Sequence, residues 1–102
     1  MIRKPFSQYD PLIASDFIKE WEGLELSVYK CQGGKNTIGW GHTRGVGQKD
    51  TITIEEAEEF LKNDLHSHAR GLAPAIKVPV TKNQFIALLS LAFNIGVANA
   101  RN

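Results

Sequence analysis

The run from Glu22 to Thr43, E-G-L-E-L-S-V-Y-K-C-Q-G-G-K-N-T-I-G-W-G-H-T, constrains the fold more than any other part of the chain. Its apolar residues alternate, which is the period of a strand, and Gly33-Gly34 in its middle is a turn signal. Ahead of it, Leu12, Ile13, Phe17, Ile18 and Trp21 recur at helical spacing, with Asp10 as a cap and Pro11 in the first helical position. The prediction is a helix that stops at Gly23 and runs directly into a β-hairpin. Leu24, Leu26 and Val28 fall on one face of the first strand, and Tyr29 and Cys31 on the other. A five-residue loop pairs Cys31 with Thr37 and leaves Tyr29, Cys31 and Thr37 on the open face. A two-residue Gly-Gly turn pairs Lys30 with Thr37 instead; the first register is the one expected, because it opens that face. In the second strand Gly39 and Gly41 leave one side bare, a pattern that marks close approach of a ligand to the backbone.

Helical signals return after the glycine-rich loop 44–50. Thr53-Ile54-Glu55-Glu56 is a capping box, followed by Ala57, Phe60, Leu61, Leu65 and Ala69 on one helical face, with Gly71 as the expected stop. Thr81-Lys82-Asn83-Gln84 opens another helix, whose buried face is Phe85, Leu88, Leu89, Ala92 and Phe93 and whose end is Gly96. The expected fold is α+β in one domain of 102 residues: a loose arm at 1–9, a helix and hairpin over 10–52, a helical part over 53–96 and a tail over 97–102.

Composition excludes several classes. A net charge of +1 leaves no electrostatic footprint for nucleic acid. A single cysteine precludes an internal disulfide. No apolar run approaches the roughly 20 residues of a membrane span, and no apolar stretch follows the first charged residues as a secretory signal would require. His42, His66 and His68 lack metal-ligand partner spacing, and no cofactor motif is present.

Three side chains of the hairpin region carry possible chemistry. Glu22 lies at a helix end and between Trp21 and Leu24; the negative helix end and partial desolvation both raise a carboxyl pKa, which suits a proton donor. The alternative is a solvated surface carboxylate. Cys31 is either a small buried hydrophobe or a thiol facing a cleft, with Lys30, Lys35 and His42 near enough in sequence to favour its thiolate. Thr37 is either a strand-forming residue or a hydroxyl that holds a water. His42 reads as a general base or as a structural histidine tied to a carboxylate on a nearby helix; the second reading is preferred.

These motifs resemble the phage-type lysozymes (endolysins, muramidases) of glycoside hydrolase family 24. The resemblance rests on Glu22, Cys31 and Thr37 in an E-x8-[D/C]-x5-T pattern. W-E-G-L-E-L-S-V-Y-K, T-I-G-W-G-H-T, T-I-T-I-E-E-A-E-E-F-L and T-K-N-Q-F-I-A-L-L-S-L-A-F-N-I-G follow in the family's order, covering roughly Asp10 to Gly96. It implies a lysozyme-like fold and hydrolysis of the β-1,4 bond between N-acetylmuramic acid and N-acetylglucosamine in bacterial peptidoglycan, with no cofactor. It implies Glu22 as general acid, with Cys31 (commonly Asp in the family) and Thr37 positioning the attacking water. His42 would pair with Asp64, and Tyr29 would stand beside the site. Thr43, Phe93 and Asn94 would line the saccharide groove. A phage enzyme of this kind stays in the host cytoplasm until released to the wall. Family members continue past the F-N-I-G segment, so part of the helical lobe is expected to be absent. That raises two competing expectations: a wall-binding remnant without catalysis, or one half of a complemented or self-associated assembly joined through an uncovered helical face.

Overall fold

The computed structural model describes residues 1–30 and 33–95. Expectations for Cys31, for Gly96 and for the tail lie outside these residues. Among them, the chain forms three α-helices and one two-stranded antiparallel sheet: α1 (Ser15–Glu22), β1 (Glu25–Lys30), β2 (Asn36–Gly39), α2 (Ile54–Leu72) and α3 (Lys82–Ile95).

The first helix begins as predicted but more tightly. Asp10 accepts a hydrogen bond from Leu12 N, and Pro11–Ala14 form a 3₁₀ turn that leads into α1. Gly23 ends α1 with φ of +65°, a left-handed conformation that glycine adopts without Cβ strain. The inward stripe is Ala14 and Ile18. Phe17 and Trp21, expected on that stripe, point outward instead; Trp21 is 69% exposed, and its ring rests 6.1 Å from that of Phe17. The helix is short, and of its large apolar side chains only Ile18 is buried, so about one turn of apolar contact is all that it contributes to the core.

The hairpin also departs from its expected register. Tyr29 pairs with Thr37 and Lys30 with Asn36, which is neither of the two pairings the sequence offered for Thr37. Four steps along β1, from Glu25 to Tyr29, match two along β2, from Gly39 to Thr37. This irregularity breaks the strand alternation on which the face assignment rested. Leu26 is accordingly exposed. β2 is the buried strand, with Ile38 and the adjoining Trp40 inside. Its Gly39 is not a bare ligand face: a Cβ there would stand in ordinary contact, 3.5 Å from Ile52 Cδ1 and 3.6 Å from Ala57 Cβ, so the position faces α2, and its φ of +65° is what favours glycine.

Both predicted capping boxes are present. Thr53 Oγ1 accepts from Glu56 N at 3.1 Å while Glu56 Oε1 accepts from Thr53 N at 2.9 Å; Thr81 and Gln84 repeat the arrangement at the same two distances. Replacing Thr53 with Ala should lower unfolding free energy by about 1 kcal/mol, measured by urea denaturation. Gly71 does not stop α2. The helix continues to Leu72 and tightens into a 3₁₀ turn at Ala73–Ala75, because Leu72 has a core position to fill.

The core lies between α2 and α3: Ala57, Leu61, Leu65, Ala69 and Leu72 face Phe85, Leu89, Ala92 and Phe93. The segment 1–9 is no loose arm. Lys4 and Val80 exchange backbone hydrogen bonds of 2.9 and 2.8 Å, Tyr9 Oη donates to Val80 O at 2.8 Å, and Phe6 is buried. The rings of Phe6 and Tyr9 lie 4.6 and 5.0 Å from that of Phe85. Aromatic burial of this kind offsets the entropy of ordering an otherwise unrestrained segment.

Candidate active site

Glu22 is delivered by the last turn of α1, immediately before the Gly23 stop, and its side chain is half-buried. The groups that cover it come from elsewhere in the chain. A Cβ placed on Gly41 would stand 2.6 Å from Glu22 Oε1 and 3.1 Å from Phe93 Cε1. The carboxyl group therefore occupies the space that a side chain at position 41 would take, beside the ring of Phe93. Burial pushes the Glu22 carboxyl above its ordinary value. The expected drying partner, Trp21, is exposed and does not supply this cover.

Gly41 is the residue whose importance the motif reading assigned to a ligand rather than to the protein itself. Its φ of +76° and its contact with Glu22 both require glycine. Gly41→Ala should destabilise the fold by about 1–3 kcal/mol through backbone strain and displace the carboxyl. Thermal unfolding and the Glu22 carboxyl NMR resonance would report the two effects.

The other candidate residues fall into separate groups. His42 and Asp64 come together as expected, with His42 Nδ1 and Asp64 Oδ2 sharing a 2.7 Å hydrogen bond. The imidazole stacks on Phe60 at 4.2 Å between centroids and 9° between planes, so it is clamped from the side as well as at its edge. This is the structural arrangement preferred above, joining the loop after β2 to α2. Tyr29 stands opposite Thr37 in the sheet. Thr37 is 2% exposed rather than on an open face, because β2 is the inner strand; its hydroxyl donates to Lys35 O at 3.0 Å. Thr43 and Asn94 are exposed.

One further histidine belongs here. His68 follows Asp64 by one helical turn, its ring centroid is 5.3 Å from that of Phe93, and its Nδ1 is buried with no hydrogen-bond partner among the described residues. Burial, then the Arg44 charge, hold its pKa below the ordinary histidine value against the opposing pull of Asp64. The i, i+4 spacing from Asp64 was visible in the sequence, but only the packing of α3 gives it meaning. The described residues contain no group of three or more His, Cys, Asp or Glu fit to hold a metal ion. None of their helices is long and apolar enough to cross a membrane.

Residues 19–102 match the Phage lysozyme family. The chain is 48% identical over 80 residues to an endolysin of Acyrthosiphon pisum secondary endosymbiont phage 1, covering 78% of this chain and 55% of that protein. It is 40% identical over 84 residues to the endolysin of Salmonella phage P22, covering 78% and 58%. Among solved structures, the muramidase domain of SpmX from Asticaccaulis excentricus superposes with a TM-score of 0.76 at 32% identity, over 87% of this chain and 60% of that one. The endolysin from Escherichia coli O157:H7 phage FAHEc1 superposes with a TM-score of 0.70 at 39% identity, over 87% and 59%. The α+β fold is thus lysozyme-like. The chain spans a little over half the length of these relatives.

Proposed function

The chain belongs to the phage lysozyme family, and from that premise we propose that it hydrolyses the β-1,4 bond between N-acetylmuramic acid and N-acetylglucosamine in peptidoglycan. The observation that carries this reading is the Glu22 carboxyl, packed on Gly41 and beside Phe93 with its pKa raised by burial. A carboxyl group that keeps its proton to higher pH than an ordinary glutamate donates that proton to the glycosidic oxygen as the bond breaks. The leaving sugar departs as an alcohol, and Glu22 is left as the carboxylate.

The water that completes hydrolysis attacks from the far face of the sugar. We assign that side to Cys31 and Thr37, on the resemblance of their spacing to the family pattern. The hydrogen of the Thr37 hydroxyl is committed to Lys35 O, so in this role its oxygen accepts a hydrogen bond from the water. Cys31 takes the proton of the attacking water as a thiolate base, or is a polar wall while that proton passes to solvent; in either case solvent reprotonates Glu22 for the next cycle, and Cys31→Ala separates the two by its rate. The His42–Asp64 pair fixes the loop that carries Gly41 and so holds the seat of the acid. Thr43 and Asn94, both exposed, and Phe93 are assigned to the saccharide groove.

The test is turbidity and new reducing ends in a suspension of purified bacterial walls. Clearing accompanied by reducing ends is the expected result. A folded protein that sediments with walls and releases no reducing ends would overturn the reading in favour of a wall-binding module.

A further inference from the structure

We infer that His68 is a positioning residue for the acid: its imidazole backs the Phe93 ring and holds that ring beside Glu22. This inference rests on the reading of Glu22 as proton donor. The contacts run in series. Glu22 Oε1 and Phe93 Cε1 converge on the vacant side of Gly41, and the next ring behind Phe93 is His68, tilted 50° to it at 5.3 Å. The two ends belong to different elements, α1 and α2, and α3 lies between them as the carrier of Phe93.

The position is costly for a histidine that only fills space. A buried ring nitrogen without a partner loses its hydration and regains nothing, so an apolar side chain there would be more stable. The charged groups acting on this imidazole are Asp64, one turn earlier on α2, and Arg44 from the loop after β2. Asp64 is already engaged by His42, on the side of the sheet. The ring is thus left to pack, and the ring it packs on is the one that meets the acid at Gly41.

Any loosening of Phe93 admits water to Glu22, restores its hydration and returns its titration toward an ordinary carboxylate. The experiment follows the Glu22 carboxyl by ¹³C NMR across pH in the wild type, His68→Ala, His68→Phe and Phe93→Leu. The Glu22 midpoint should fall toward that of an ordinary carboxylate in His68→Ala, and the wall-clearing rate on the alkaline limb should fall with it. Phe93→Leu should show a similar shift, and the double variant no more than the larger single effect, because both act on one contact. His68→Phe keeps an aromatic ring without the orphaned nitrogen; it should retain the wild-type midpoint and melt at a higher temperature.

An unchanged midpoint in folded His68→Ala would overturn the inference. So would a shifted midpoint in folded His68→Phe, which would mean that the imidazole acts through its nitrogen rather than as backing for the ring. If neither variant folds, an unchanged midpoint in Phe93→Leu overturns it equally. The NMR readout needs no turnover, so a chain that never clears walls would defeat the proposed function and leave this inference to be decided by the titration.

Discussion

Glu22→Gln should abolish wall clearing while leaving the protein folded. The amide matches the carboxyl in shape and still fits the space beside Gly41 and Phe93, but it has no proton to give at any working pH. A positioned general acid contributes about 10²–10⁴-fold to a reaction of this kind, and loss in that range is expected. Stability serves as the control. The Glu22 carboxyl binds its proton more tightly when folded than when unfolded. Its ionisation therefore costs stability as pH rises through the interval from the unfolded to the folded pKa, and the cost persists above it. Glu22→Gln removes that cost. Its melting temperature at neutral pH should equal or exceed the wild-type value, so inactivity could not be ascribed to unfolding. A variant that melts normally and still clears walls at more than a tenth of the wild-type rate would remove Glu22 from the mechanism.

Phe85→Ala should have the largest effect on stability. Phe85 has no exposed surface and carries the rings of Phe6 and Tyr9 on one side and the α2 core on the other. Truncating such a residue costs about 3–5 kcal/mol, which is a large part of the roughly 5–15 kcal/mol that holds a domain of this size together. The loss is compounded because the segment that ends at Tyr9 is tied to the body through this ring and through Val80, five residues before it. Urea denaturation should show a strongly lowered midpoint, and amide exchange should accelerate at Lys4 and Val80 together. A midpoint close to wild type would mean that the terminal segment is held by its backbone bonds alone.

What could be read from the sequence was whatever depends on a few neighbouring residues. The capping boxes at Thr53 and Thr81, the glycine stop after Glu22 and the hairpin turn are local patterns, and each is found in place. The pairing of His42 with Asp64 came through the resemblance, and the structure contains it at 2.7 Å. The departures are all decided at longer range. Trp21 carries a helical-face signal, yet the core takes in Ala14 and Ile18 and leaves Trp21 exposed. The strand register turned on an irregularity between Glu25 and Tyr29 that no residue pattern announces. Phe6 and Tyr9 read as part of a loose arm because their partners, Phe85 and Val80, lie more than seventy residues away. The site divides in the same manner. Glu22 was legible at its helix end, but its cover by Gly41 and Phe93, and the backing of Phe93 by His68, exist only once α3 has folded across α1 and α2.

The most direct test of the central claim, that protonated Glu22 is the working form of the enzyme, sets two titrations side by side. One is the pH dependence of wall clearing on its alkaline limb; the other is the Glu22 carboxyl resonance in the same buffer. Both should share one midpoint, above the value of an ordinary glutamate. A Glu22 that titrates as an ordinary solvated carboxylate, while clearing persists well above that pH, would contradict the claim.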